Sequence, residues 1–233
     1  YLKIRTLGFD REIRYIVIIE EMFMKIIPYG GITNISKYLF EKYGEKGVFV
    51  KRGGAIVMNS RSMAQISGRV TRNCSVVAVT RVLDYYGKKG LVPGIPDDIS
   101  KTYKVVEEIA ESYGYTDKRG TIPFFISGIA KEAFLHFGVK TKCKGVYVFS
   151  FEKQVKEEIS NGRPVIMNIA RGFYKDHTIV VVGYSIWRVK GKEYPMLRVI
   201  DGWKSGYHYI DYEAFSRDFS QSVFGSFNTI AVK

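Results

Sequence analysis

The fold is decided by Thr71-Arg-Asn-Cys-Ser-Val-Val-Ala-Val-Thr-Arg-Val-Leu-Asp-Tyr-Tyr-Gly87. Its apolar residues recur at the spacing of a mostly buried helix, and Gly87 supplies a C-terminal stop. Cys74 lies in the first turn, where unpaired N–H groups and partial positive charge favour the nucleophilic thiolate. The alternative interpretation is that Cys74 is a small buried apolar residue of this helix.

Helices precede strands along the rest of the chain. Three further helices are predicted over residues 97–113, 123–137 and 151–160, each followed by a stop containing Gly. β-rich segments lie at residues 164–169, 178–184, 197–200, 207–210 and 229–232. This order predicts an α+β fold in which N-terminal helices pack against a C-terminal antiparallel sheet.

The third feature is a predicted hairpin that joins a histidine to an aspartate. His177 directly precedes the strand at 178–184, and a turn at 189–191 leads back into residues 197–203. In an antiparallel hairpin the numbers of two paired residues add up to a constant. The midpoint between residues 177 and 201 is residue 189, which lies in the predicted turn. The pattern therefore predicts that the Asp201 carboxylate orients the His177 ring. Taken singly, each also fits a structural role, His177 at a strand edge and Asp201 in a turn.

These motifs together resemble papain-like cysteine peptidases. The segments at 71–87, 161–167, 177–184 and 199–203 follow the order found in the bacterial branch that includes bacteriocin-processing, double-glycine-leader peptidases. The resemblance covers residues 61–233 and implies a papain-like fold. It implies that Cys74 is the nucleophile, His177 the general base and acid, and Asp201 the orienting residue. Trp203, assigned to substrate binding, corresponds to a tryptophan that shields the orienting hydrogen bond from water.

The resemblance also implies a side-chain donor to the oxyanion. The family usually has Gln shortly before the cysteine, and Gln65 lies nine residues before Cys74. Asn73 is the alternative donor, although its position also suits a helix N-cap. The implied chemistry needs no metal and no cofactor, and His136 and His208 are interpreted as structural residues.

Residues 1–60 lie outside the resemblance and form a predicted N-terminal extension, followed by a catalytic domain at 61–233. Within the extension, residues 14–27 suit a helix or two short strands, and a helix capped by Thr33 or Asn34 ends at Gly44. Residues 48–50 and 55–58 predict a hairpin. Three roles are compatible with this pattern: an accessory layer, an inhibitory propeptide or a separate recognition module.

Composition and charge limit the kinds of binding partner and of disulfide architecture that the protein can have. The 233 residues carry 36 Lys and Arg against 23 Asp and Glu, a net charge of +13. This charge favours an anionic surface or partner, but the basic residues are scattered and no specific nucleic-acid role is expected. Two cysteines, Cys74 and Cys143, are too few for a disulfide framework. The family resemblance places the expected protein in a secreted or cell-surface bacterial setting, and the oligomeric state stays open.

Three functions are compatible with these observations. The first is a cysteine peptidase that hydrolyses peptide or protein substrates through a Cys-His-Asp triad and a thioester acyl-enzyme. The second is a transglutaminase-like acyl transferase, which uses the same three residue types. The third is a catalytically inactive binding module that holds an anionic surface or partner through its charge, and a Cys74–Cys143 disulfide would favour it.

Overall fold

The computed structural model describes residues 27–147, 151–217 and 224–232, which form a helical layer against one sheet. The helices are α1 (Ile35–Tyr43), α2 (Met63–Ser67), α3 (Cys74–Lys88), α4 (Ile99–Ser112), α5 (Ile126–His136), α6 (Glu158–Ser160) and α7 (Tyr212–Arg217), with a 3₁₀ turn at Pro123–Phe125 and a π-helix at Phe151–Glu157. The strands are β1 (Val48–Ala55), β2 (Thr141–Val146), β3 (Val165–Ala170), β4 (His177–Val189), β5 (Lys192–Ile200), β6 (His208–Asp211) and β7 (Phe224–Val232). None of these helices is long and apolar enough to cross a bilayer.

The sheet is antiparallel throughout, in the order β2-β7-β3-β4-β5-β6, with β1 pairing the far half of β4. Helix α3 packs directly against β4, and α4 and α5 pack against α3. One continuous apolar core lies between these helices and the sheet. The predicted α+β class, with helices of the first part covering an antiparallel sheet of the second, is confirmed.

Helix α3 begins at Cys74 as predicted but continues beyond Gly87 to Lys88. Gly87 is needed for close packing instead of a stop, because a Cβ atom there would lie 2.8 Å from Cβ of Ile95. The left-handed residue that follows the helix is Gly90, at φ +71°. The prediction, with Tyr86 as the last helical residue, therefore placed the start of the helix correctly and its end two residues too early.

Strands β4 and β5 form the predicted hairpin, but its register differs. The turn consists of Lys190 and Gly191, both at positive φ (48° and 77°), as a two-residue hairpin turn requires. Paired residue numbers sum to 381 near the turn, and a bulge between Val181 and Gly183 lowers the sum to 380. The expected sum of 378 was wrong, so Asp201 lies beyond the end of β5 and is not paired with His177 in the sheet.

Residues 27–60 pack on the same sheet. Helix α1, capped by the Asn34 side chain and ended by Gly44 as predicted, buries Leu39 in an apolar cluster with Val189 and Met196 of β4 and β5. The predicted hairpin at 48–58 is wrong, because residues 48–55 form one bulged strand that pairs with β4. The division at residue 60 stays a prediction. Of the element expected at 14–27, residues 14–26 lie outside the described residues, and so does Ser150, the residue before the helix predicted at 151–160 and its expected cap.

Candidate active site

The fold brings the thiol of Cys74 against the ring of His177. Cys74 opens α3, and His177 is the first residue of β4, the strand on which α3 packs. A hydrogen bond joins the two side chains. Because His177 Nε2 is engaged by another group, as described below, Nδ1 is the nitrogen that faces the sulfur.

The two groups shift each other's pKa in opposite directions. Burial would raise the pKa of the Cys74 thiol, but the hydrogen bond and charge of His177, with a main-chain hydrogen bond from Thr178, lower it. Burial would lower the pKa of His177, but its contacts with Cys74 and with Asp201 raise it. Both shifts favour a thiolate paired with an imidazolium.

Asp201 reaches His177 through its main chain. Nε2 of His177 lies 2.7 Å from the Asp201 carbonyl oxygen and donates a hydrogen bond to it. The expected bond from the carboxylate to the ring is therefore corrected: the acceptor is the carbonyl. The physical reason is the register of the hairpin, which ends β5 at Ile200 and turns the chain at Gly202, where φ is +77°.

The Asp201 carboxylate supports the turn that carries this carbonyl. It accepts a hydrogen bond from the Trp203 N–H (3.2 Å) and a longer one from the Tyr174 hydroxyl (3.5 Å). Its Oδ2 lies 2.9 Å from Nδ1 of His208, a residue that the sequence had suggested only as a structural histidine. The carboxylate thus holds the turn and, through it, the acceptor of His177.

A buried arginine lies behind the same turn. Arg81, two turns along α3 from Cys74, donates hydrogen bonds to the carbonyls of Asn59 (2.8 Å) and Arg61 (2.6 Å). Burial lowers its pKa to about 10, although the charges of Asp201 and Asp84 oppose that shift. Arg81 therefore ties the segment before α2 and the Asp201 turn to α3.

Aromatic rings cover the histidine. The Trp203 ring lies 4.9 Å from that of His177 and 5.1 Å from that of Tyr174, between centroids. Tyr174 stacks near-parallel to the imidazole, at 14° and 6.0 Å. Trp203 remains 45% exposed, so it covers the site from the solvent side. This position suits the shielding role predicted for it, and its part in substrate binding stays a prediction.

Neither predicted oxyanion donor reaches the site. Gln65 belongs to the capping box of α2, and its Oε1 accepts hydrogen bonds from Ser62 N (2.8 Å) and Ser205 Oγ (2.6 Å). Asn73 is fully buried and donates its amide to the Tyr103 hydroxyl (3.2 Å), without capping α3. Both candidates are corrected, since each side chain is engaged by other hydrogen bonds and neither residue lines the cavity that contains Cys74.

A cavity of about 470 Å³ opens beside the Cys74–His177 pair. Its inner wall carries a polar row from three neighbouring strands, which the sequence analysis missed. The Thr178 hydroxyl donates to Asn168 Oδ1 (2.9 Å), and the Asn168 amide donates to Ser226 Oγ (2.8 Å). The sequence does contain one indication of this polar row, because Asn168 is a polar residue within the otherwise apolar strand β3. Arg72 and Arg119, also missed, line the cavity as well.

Two further observations concern possible metal ligands and the two thiols. Across the described ranges, no three His, Cys, Asp or Glu side chains converge in a way that would hold a metal ion. Both cysteines are free, so the disulfide that would have favoured a binding module is not formed. Burial raises the pKa of the Cys143 thiol, in contrast to that of Cys74.

Comparison with known proteins identifies the chain's family. A family model described as the Peptidase C39-like family matches residues 58–229, which are 172 of the 233 residues. A comparison with curated proteins gave no match. Among solved structures, the crystal structure of the Pseudomonas avirulence protein AvrPphB is similar at 9% identity with a TM-score of 0.32, covering 69% of this chain and 90% of that one.

The family match agrees with the architecture and with the position of the cysteine. The papain-like fold was predicted from ordered motifs that include Cys74 and His177. The family match, the cysteine at the start of a helix and the histidine on the sheet beneath it confirm that prediction. The protein belongs to the Peptidase C39-like family of cysteine peptidases.

Proposed function

We propose that this protein hydrolyses peptide bonds, with Cys74 as nucleophile and His177 as general acid and base. The observation that carries the proposal is the hydrogen-bonded Cys74–His177 pair, whose pKa shifts favour the charged forms, at the wall of a 470 Å³ cavity. A preformed thiolate is a strong nucleophile at neutral pH and needs no separate base to activate it. The family match supports a peptide or protein as substrate.

The reaction has two steps that share one histidine. The Cys74 sulfur attacks the peptide carbonyl carbon, and a C–S bond forms as the carbonyl becomes an oxyanion. The imidazolium of His177 then gives its proton to the departing amine, the C–N bond breaks and a thioester remains. Water adds to the thioester and passes a proton to His177. The C–S bond breaks and the carboxylic acid product leaves. The Cys74 thiolate and the His177 imidazolium are thereby restored.

The oxyanion needs donors that point into the cavity. The Cys74 N–H, at the positive end of α3, is the first. We assign the second to Asn168, which lines the cavity and contacts the same Thr178 that bonds to the Cys74 sulfur. An amide carries two N–H donors, and Asn168 gives one to Ser226. The other is available to the oxyanion.

The ordered motifs support placing the protein nearest to the bacterial bacteriocin-processing branch, in a secreted or cell-surface setting. A synthetic leader peptide ending in Gly-Gly, joined to a short cargo sequence, tests this placement by mass spectrometry. Cleavage directly after the glycine pair supports the placement. Cleavage of other peptides with this one left intact contradicts it, without affecting the proposed chemistry.

The chemistry is tested with a peptide library and three proteins. Wild-type protein should cleave peptides, Cys74→Ala should have no activity, and Cys143→Ala should match wild type because Cys143 lies in β2, outside the cavity lining. A peptidyl epoxide should modify Cys74 and not Cys143. Hydrolysis that survives Cys74→Ala, or products joined to an added amine in place of free acid, would contradict the proposal.

A further inference from the structure

We propose that the cavity beside Cys74 selects peptides that carry an Asp or Glu side chain close to the scissile bond. In this proposal Arg72 and Arg119 bind the substrate carboxylate. The inference rests on the proposed function, because it takes the Cys74 cavity as the place where the peptide lies. Its test below uses chemical labelling of Cys74, so that it does not depend on turnover.

The two arginines are brought together by the fold although 47 positions separate them in the sequence. Both line the cavity that also contains Cys74 and His177. The Arg72 N–H donates to the carbonyl of Asp117 (3.3 Å), which fixes the segment before α3 to the loop that carries Arg119. A Cβ atom on Gly120 would lie 3.1 Å from the Arg72 carbonyl oxygen, so the two segments are closely packed.

Neither arginine has a carboxylate partner among the residues that the structure describes. Arg69, three positions before Arg72, shows the contrast: it forms ion pairs with Glu107 and, at 3.3 Å, with Asp117. Glu107 and Asp117 are thus used by Arg69, and Arg72 and Arg119 stay exposed to solvent. Two unpaired guanidinium groups at the wall of a cavity are suited to a carboxylate brought by a ligand.

The rest of the cavity lining is compatible with such a ligand. Asp176 is the one acidic residue among the described lining residues, and no ion pair joins it to either arginine. The wall also contains Gly120, Gly225 and Ala170, whose small side chains leave room for a peptide side chain to approach. Because Asp176 directly precedes His177, its charge disfavours a substrate carboxylate beside the histidine and favours one near the arginines.

The test measures how fast matched peptidyl epoxides label Cys74. Each pair of probes differs in a single Glu or Gln, and the pair is moved through every position next to the reactive group. Mass spectrometry gives the rate constant for modification of Cys74. We expect at least one position where the Glu probe reacts about tenfold faster, the effect of one hydrogen-bonded charge pair. This ratio should fall as salt is added, because the arginines are exposed.

Variants then test whether Arg72 and Arg119 cause the preference for the Glu probe. In R72A/R119A the Glu-to-Gln ratio should fall to about one, and in R72E/R119E a Lys probe should become the preferred one. The matched control is Lys118→Ala, which removes a positive charge from the same loop at a residue outside the cavity lining and should keep the wild-type ratio. Circular dichroism and the thermal midpoint show that each variant is folded.

The outcomes separate this inference from the proposed function. A ratio near one at every position, with Cys74 labelled rapidly by iodoacetamide, overturns the inference and leaves the peptidase proposal intact. A Glu preference in a protein that cleaves no peptide supports the inference and contradicts the peptidase proposal. A preference that persists in R72A/R119A, or that Lys118→Ala removes equally, overturns the inference, since bulk charge would then explain it.

Discussion

Two opposing effects act on the thiol of Cys74. Burial favours its neutral form, whereas the imidazolium of His177 and the N–H of Thr178 favour the thiolate, and the second group of effects prevails. Cys143 is an internal control, because burial raises its pKa and prevails over the opposing effects of the Thr141 hydroxyl, 3.3 Å away, and of the Lys131 charge. One chain therefore contains an activated and an ordinary buried thiol.

The first prediction concerns the pH dependence of these thiols. A thiol with a lowered pKa stays ionised where an ordinary thiol is protonated, so iodoacetamide should label Cys74 at pH 6 at least roughly tenfold faster than Cys143. Labelling of Cys74 should decline only as the pH falls through its lowered pKa. His177→Ala removes the hydrogen bond and the charge, and should move the curve to higher pH. Coinciding curves for Cys74 and Cys143 would contradict the assigned ion pair.

The second prediction concerns Asn168. If its free N–H stabilises the oxyanion, Asn168→Ala should lower kcat by about 10²- to 10³-fold and change KM much less. Ser226→Ala is the control, because it removes the partner of Asn168 and leaves both amide donors in place. Steady-state kinetics on one cleaved peptide distinguishes the two variants. If both variants lose kcat equally, Asn168 supports the packing of the cavity wall and does not stabilise the oxyanion.

At the scale of elements, the turn between β5 and β6 controls the histidine. Gly202 adopts φ +77°, and a Cβ atom there would lie 2.7 Å from Met63 Cγ and 3.2 Å from Arg81 Nη2. Any larger residue is strained at this φ, and it must displace either the Met63 side chain or the chain just after the carbonyl that accepts the bond from His177. The geometry of this turn is therefore more important to the site than the identity of the acidic side chain before it.

The third prediction tests this turn. Gly202→Ala should lower kcat because the acceptor of His177 moves, and should destabilise the fold by about 1–3 kcal/mol. Gly191→Ala is the matched control, with the same φ of +77° but no atom within 4 Å of its added Cβ. It should cost a similar backbone strain and leave the peptidase rate unchanged. Equal kcat values for the two variants would argue against the role of the turn.

The elements show where sequence reasoning succeeds and where it does not. The start of α3 and the β4–β5 hairpin depend on local periodicity and turn residues, and both were predicted. The placement of Asp201 failed because the turn falls at Lys190 and Gly191, later than expected, and the bulge near Val182 offsets only one residue of that difference. Alternation alone encodes neither feature. Gln65 failed as a donor because Ser62-x-x-Gln65 is a capping box, a local pattern that the sequence does display.

At the scale of the whole molecule, residues 27–60 support the site from behind. The Gly31 N–H donates to the Tyr174 hydroxyl (3.0 Å), and Tyr174 stacks on His177. No residue of 27–60 lines the cavity beside Cys74. Such contacts join segments far apart in the sequence, so no local pattern predicts them, and the same is true of the Arg72–Arg119 corner of the cavity.

The fourth prediction asks whether this N-terminal layer unfolds with the rest. Leu39 is fully buried in the cluster that joins α1 to β4 and β5, so Leu39→Ala should lower the free energy of unfolding by about 2–5 kcal/mol. Phe40→Ala, at a neighbouring residue that is 54% exposed, should have little effect. Denaturant unfolding should remain a single transition. An early separate transition in Leu39→Ala would favour a detachable propeptide over an accessory layer.

The bond from His177 to the carbonyl of Asp201 has a consequence for genetics. Every amino acid has the same main-chain carbonyl oxygen, so no amino-acid substitution at position 201 removes this hydrogen-bond acceptor. Saturation mutagenesis should therefore tolerate more replacements there than at position 177, and loss-of-function alleles should cluster at Gly202, where the path of the chain is set. Removing the acceptor itself would require backbone chemistry, such as an ester linkage introduced by chemical synthesis.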